Sequence, residues 1–317
     1  MLRAVDGLCS ARGWDELEDL ADLCDHALDR GKQLWPIVAH IDYRIALEAP
    51  ADYAATVLGS ELGRFAVGPL TEVAASTHTW DELAPHIDTP HAAAYVSQER
   101  VLRGDDLTGD DRAHAELLDM PLRSEPFEPT YALAQYFSDH VEVAEPWTPK
   151  GSVAVVDAKP TAEVAADPVT EVLLDVVQPW VGESNGAARA VVVEGDAAVA
   201  IATLTTGVSP IMAGSLTGEE ALQRIAWAAA SGGAHGRRRG AAFGRFMAFY
   251  VVATLGGLAW PAEPAQIGEV LARLHWQHWD EVDRLEGWVL RIAVEDPHQG
   301  WAVALGATDL KVEETEL

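Results

Sequence analysis

The chain has 317 residues, 49% of them hydrophobic and 11 of them Trp, so it holds enough apolar material for two domain-sized cores and is not a disordered polymer. Its formal net charge of −28, from 50 acids against 22 Lys and Arg, repels other polyanions. That argues against nucleic-acid binding and against docking on an anionic membrane face.

Residues 1–20 place Asp6, Asp15, Glu16, Glu18 and Asp19 where a secretory leader would have an apolar run, so a cytoplasmic protein is expected. Cys9 and Cys24 are the only cysteines, too few for a disulfide framework or a closed zinc site. The first expected helix, 15–30, puts Leu17, Leu20, Cys24 and Leu28 on one face, carries acids in its first turn and stops at Gly31. A second starts near Pro36, groups Ile37, Ile41 and Ile45, and ends at Pro50. A third covers 52–62 and a fourth begins at Pro69. Thr79 and Glu82 have capping-box spacing for a fifth. Another passes through Tyr95, Val96 and Val101 to Arg103-Gly104.

Short connections favour antiparallel neighbours, so 1–120 reads as an all-α helical domain, either a helical bundle or a short helical repeat. Trp14-Asp15-Glu16-Leu17 returns as Trp80-Asp81-Glu82-Leu83, 66 positions later and again at a helix start. Two matches fall short of the three units an array needs.

Residues 121–168 form a Pro-rich connector, since Pro121, Pro126, Pro129, Pro146, Pro149, Pro160 and Pro168 interrupt any long helix. Short elements are expected at 131–137 and 153–156, and the domain boundary near Lys150. Residues 169–317 read as an α+β domain. Segments 189–194 and 197–204 flank Gly195-Asp196, a hairpin signal, and 288–295 with 301–307 make a second hairpin. Three helices lie between them: 218–230, capped by Thr217 and Glu220, then 236–255 and 264–279.

Ala198, Ala200 and Ala202 give the first hairpin a small face, as Ala302, Ala304 and Gly306 do the second. Small residues recur every fourth position at Gly232, Gly236, Gly240, Gly244 and Ala248, so the 236–255 helix is expected to lie on that face. The fold class is thus α+β: N-terminal helices, then an antiparallel sheet of two hairpins packed with three helices.

The candidate site is the turn Gly232, Gly233, His235 and Gly236 with Arg237, Arg238, Arg239 and Arg245. Backbone N–H groups at a helix start, beside guanidinium groups, are an anion trap. No Walker loop or dinucleotide fingerprint accompanies it, and no catalytic motif is present. The expected function is a non-enzymatic binding or scaffold protein, with a protein partner on the helical half and a small anion or acidic peptide at this turn. The alternative is an enzyme acting on a phosphorylated or carboxylated substrate, with His235 as acid or base. A second alternative is membrane association through 240–260. Arg245 opposes it, because a charge near the bilayer centre costs roughly 2.5 kcal/mol or more.

No cofactor and no metal are expected. His275 and His278, three apart on the expected 264–279 helix near Asp280, Glu281 and Asp283, match no zinc motif. His40 and Asp42 point apart on a helix and make no dyad. The acidic run 104–111 lacks the alternating ligands of a calcium loop and reads as an exposed turn. Trp180, Trp227, Trp260, Trp276, Trp279, Trp288 and Trp301 read as core and interface anchors before they read as a stacking groove.

Overall fold

The computed structural model describes residues 1–27, 31–60, 65–113, 117–143, 152–164, 167–207, 210–281 and 287–310. The expected helix ends at 28–30 and Leu62, the boundary at Lys150, and Asp283 lie outside the described residues. The fold class is α+β, with helices first and antiparallel strands later. The chain gathers into two compact units, and neither is one run of sequence. One comprises Met1–Ser124, Leu133–Ala144 and Arg238–Ala242; the other comprises Glu125–Ala132, Glu145–Arg237 and Phe243–Leu317.

The first unit holds helices α1 (Leu2–Ala11), α2 (Trp14–His26), α3 (Trp35–Glu48), α4 (Ala51–Thr56), α5 (Leu70–Thr77), α6 (Trp80–Leu83) and α7 (Pro90–Leu102). Helix α1 lies in the stretch read only for a leader; its Val5 and Cys9 are buried. The repeated Trp-Asp-Glu-Leu opens α2 and α6, and Trp14, Leu17, Trp80 and Leu83 all enter one core. At α6 the capping box is complete, with Thr79 and Glu82 each accepting from the other's backbone N–H. Strands β1 (Ala134–Tyr136) and β2 (Val141–Val143) pair antiparallel, so the Pro-rich stretch does contain short elements.

The second unit is built on a six-stranded antiparallel sheet, ordered β3-β5-β6-β7-β8-β4. Its strands are β3 (Ala154–Val155), β4 (Ala187–Glu194), β5 (Ile211–Leu216), β6 (His275–Glu281), β7 (Trp288–Asp296) and β8 (Trp301–Asp309). Its helices are α8 (Pro168–Val176), α9 (Gln178–Gly182), α10 (Ala197–Leu204), α11 (Gly218–Ala230), α12 (Ala241–Leu255) and α13 (Pro264–Arg273), the first two residues of α12 counting with the first unit. The second hairpin stands as expected: β7 and β8 pair from Trp288↔Asp309 to Asp296↔Trp301.

Three expected elements need correction. Residues 197–204 are helix α10, not a strand, because Asp196 is an N-cap whose Oδ1 accepts the Val199 N–H at 2.9 Å. The Ala residues that resembled a small strand face are strong helix formers. Strand β4 instead pairs with β8 along its whole length. The second correction is at 264–279, where the helix ends at Arg273 and β6 takes over. Pairing with β5 on one side and β7 on the other outweighs the helical pattern of His275–Glu281.

The third concerns the glycine stripe. Residues 232–240 are loop and α12 starts only at Ala241, so Gly236 and Gly240 lie on no helix. Gly244 faces the backbone of α11, where an added Cβ would collide with the Ala226 carbonyl. The small face of β8 does receive a helix, but it is α10. Ala302 and Ala304 pack in one cluster with Ala197, Ala200 and Ile201, and a Cβ at Gly306 would meet Trp279 and Leu204. Small residues on both partners let helix and sheet approach closely, as argued, but the helix is the misread segment.

Candidate functional site

The predicted site residues divide between the two units. Gly232, Gly233, His235, Gly236, Arg237 and Arg245 belong to the second, Arg238 and Arg239 to the first. Gly232 and Gly236 press backbone on backbone, and Gly233 adopts φ +74, where its added Cβ would overlap the Asp309 carboxylate. These glycines allow a loop too tight for any side chain. The loop's N–H groups do meet anions, and the anions are the protein's own. Ala234 N–H donates to Asp309 Oδ2 at 2.6 Å and Arg237 N–H to Glu183 Oε2 at 3.3 Å. His235 is exposed, and its N–H donates to Ser184 Oγ at 3.1 Å. Asp309 is buried at the end of β8, and its Oδ1 finds no hydrogen-bond donor among the described residues.

Arg245, on α12, is wholly buried against Glu128, itself 1% exposed. Its Nε and Nη2 donate to the two carboxylate oxygens at 2.8 and 2.7 Å. Glu128 also accepts the Tyr131 O–H and the Glu125 N–H, each at 2.8 Å. The guanidinium lies 5.3 Å from the Phe249 ring centroid. Both carboxylate oxygens are therefore satisfied twice, the condition that makes a buried ion pair tolerable.

Arg238 does the same in the first unit. Its Nε and Nη2 grip Glu72 of α5 at 2.8 and 2.6 Å, and the Tyr136 O–H of β1 donates to Glu72 at 2.7 Å. Beside it Glu99, on α7, accepts from Arg103 Nη1 and from the Ala242 N–H, both at 2.7 Å. Glu99 thus caps the start of α12, which is why that helix begins where it does. Burial pushes Glu72 up, but the Arg238 charge and hydrogen bonds outweigh it and hold the carboxyl below its usual range. Burial and then the Glu72 charge push Glu99 up to about 7, against the opposing pull of Arg103.

The sign of that shift gives a test. A carboxyl whose folded pKa is raised stabilises the fold most below its unfolded value near 4.5. It loses that contribution as pH rises through about 7. Glu72 acts in the opposite sense and only at lower pH. The wild type should therefore lose melting temperature relative to Glu99→Gln as pH rises from about 5 to about 8. Melting curves that stay parallel across that window would show that Glu99 titrates with the ordinary carboxylates.

The carboxylates Glu72, Glu99, Glu128 and Asp309 were not singled out by sequence. The available signal was weak: Glu72 precedes Val73-Ala74-Ala75 on a buried helix, and Glu128 lies among prolines. His275 and His278 fall on β6, where three positions put side chains on opposite faces, so they form no pair. The acidic run 104–111 forms turns, and Asp110 accepts from Trp80 Nε1 at 2.9 Å and from Arg112. Trp180, Trp276 and Trp279 are buried, with Trp227 edge-on to Trp180. No helix among the described residues is long and apolar enough to cross a membrane; 240–260 resolves into α12, the Gly256-Gly257 stop and a loop.

Residues 1–311 match the model of DUF6183, a family of unknown function. The chain belongs to that family. No curated protein and no solved structure matches it. Cavities of about 610, 650 and 300 Å³ are lined by residues other than the glycine-arginine turn. The first opens in the second unit beside Leu216, Leu271 and Trp276, and the other two lie in the first unit between helices rich in Asp and Glu.

Proposed function

We propose that this chain is a non-enzymatic binding protein of the cytoplasm whose helical unit offers the partner surface. The observation that carries the reading is the use made of the arginines. Arg238 and Arg245 are each gripped by both oxygens of a buried carboxylate, as a structural role requires and a substrate-holding role does not. The N–H groups of the turn, too, donate to Asp309 and Glu183. On the helical unit, the 650 Å³ groove collects Trp14 of α2 with Asp81 and Glu82 of α6, beside Glu48 and Asp52, with four carboxylates against the one guanidinium of Arg12. A net charge of −28 favours a cationic partner there.

The test is thermal melting against phosphate, nucleotides and carboxylates, with Arg237→Ala/Arg239→Ala beside the wild type. That pair spares the two buried ion pairs. None of these anions should raise the wild-type melting temperature. A shift that the double variant abolishes would overturn the reading and favour an enzyme that holds an anionic substrate at the turn.

A further inference from the structure

Segment 238–242 is attached to the first unit as a strap. Arg237 before it and Phe243 after it group with the second unit, while Arg238–Ala242 groups with the first. Two buried carboxylates hold it, Glu72 of α5 and Glu99 of α7. Arg238 grips Glu72 at one end, and the Ala242 N–H donates to Glu99 Oε1 at the other. Between them Gly240 adopts φ +96, which glycine takes without strain. A Cβ added there would lie 3.3 Å from Glu99 Oε1 and 3.5 Å from Glu72 Oε2, so the two carboxylates converge on one residue of the strap.

The two carboxylates are not equally supported. Glu72 accepts two hydrogen bonds from Arg238 and one from the Tyr136 O–H. Glu99 accepts from Arg103 Nη1, which also donates to the Glu99 carbonyl at 2.8 Å, and the Arg103 charge is shared with Glu72. The other groups that act on Glu99 are Glu72 of α5, Tyr136 of β1 and Arg238 of the strap, whereas Arg239 acts on Tyr95 of α7. A dry carboxyl beside a second carboxylate, with one shared arginine, favours its neutral form, in keeping with its rise to about 7. An open strap admits water to Glu99 and returns it towards its ordinary value of 4.5. The closed strap is therefore most favoured below that value, and the advantage is lost as pH rises through about 7.

We infer that segment 238–242 is a pH-sensitive strap, fastened to α5 and α7 while the Glu99 carboxyl is neutral and opening on its own, without unfolding of the unit, more often as that carboxyl ionises. Glu99 is the gate because the Ala242 N–H bonds to it directly. Glu72 is the anchor, since its bidentate hold on Arg238 keeps it ionised across the same range. The inference concerns a motion within the fold and does not depend on the binding reading.

The experiment is amide hydrogen exchange of the full chain from about pH 5 to about pH 8, with each rate divided by its intrinsic value at that pH. Gly240 and Ala242 should be less protected than Val96, which is buried in the middle of α7. Their protection should fall by more than about tenfold across that window, as the shift of Glu99 requires. The wild-type profile is a complete test of the motion and needs no variant. Glu99→Gln keeps an acceptor for the Ala242 N–H and removes the titration, so its strap protection should stay level with pH. Equal protection of the strap and Val96 at every pH would mean that the segment leaves only when the unit unfolds, and would overturn the strap. A level wild-type profile, or a fall that persists in Glu99→Gln, would overturn the role of Glu99. None of these outcomes touches the anion panel, which tests the binding reading separately.

Discussion

Arg245→Met is expected to lower the unfolding free energy by about 3–5 kcal/mol, read by chemical denaturation at neutral pH. The guanidinium has no exposure, and it neutralises a carboxylate that is equally dry. Removing it leaves Glu128 with the Tyr131 O–H and the Glu125 N–H but no positive charge. The loss therefore reflects a stranded charge more than a lost contact, and the rest of the cycle can show this. Glu128→Leu/Arg245→Met removes both charges, so it should recover part of the stability. Recovery stays partial because Tyr131 and the Glu125 N–H then lack an acceptor. A change below about 1 kcal/mol in Arg245→Met would place this pair with exposed surface bridges and remove the argument.

Arg238→Met should have an effect of the same size in the first unit, about 3–5 kcal/mol, with a distinct pH signature. Without Arg238 the burial of Glu72, the largest influence on it, is opposed only by the Tyr136 hydrogen bond and the Arg103 charge, and Glu99 lies beside it. The Glu72 carboxyl then moves from below its usual range to above it. A raised folded pKa favours the fold at low pH and penalises it as pH rises. The variant should therefore approach the wild type as pH falls towards about 5 and diverge from it towards about 8. Adding Glu72→Gln removes the stranded charge and keeps an acceptor for Tyr136, so the double variant should regain stability at high pH and lose the pH dependence. Equal losses at both ends of the window would show that Arg238 acts by packing alone.

The chemistry of the glycine-arginine turn rests on partners far away in the chain. Four arginines within nine positions are visible in the chain, but their partners are not. Glu128 lies 117 positions from Arg245, and Glu72 lies 166 positions from Arg238. With 50 acids to choose from, no spacing rule selects these two. The same limit applies to Asp42, set aside because it points away from His40. Its burial and its hydrogen bond from Ser60 come from tertiary packing around α3.

Sequence alone determined several features that depend on neighbours within about one helical turn. The Thr79–Glu82 and Thr217–Glu220 caps, the helix starts at Trp14 and Trp80, the β7–β8 hairpin and the succession of helices before strands all follow from local hydrogen bonding and periodicity. Tertiary structure decided the rest. The alternation at 197–204 suits a strand, but Asp196 caps it as a helix and the small face of β8 gives that helix a seat. The pattern at 275–281 suits a helix, but two flanking strands claim its backbone hydrogen bonds. The start of α12 is fixed by Glu99, 143 residues earlier in the chain. At 275–281 and at the start of α12 a backbone group meets a partner that only folding brings within reach, and burial makes leaving that group unpaired too costly.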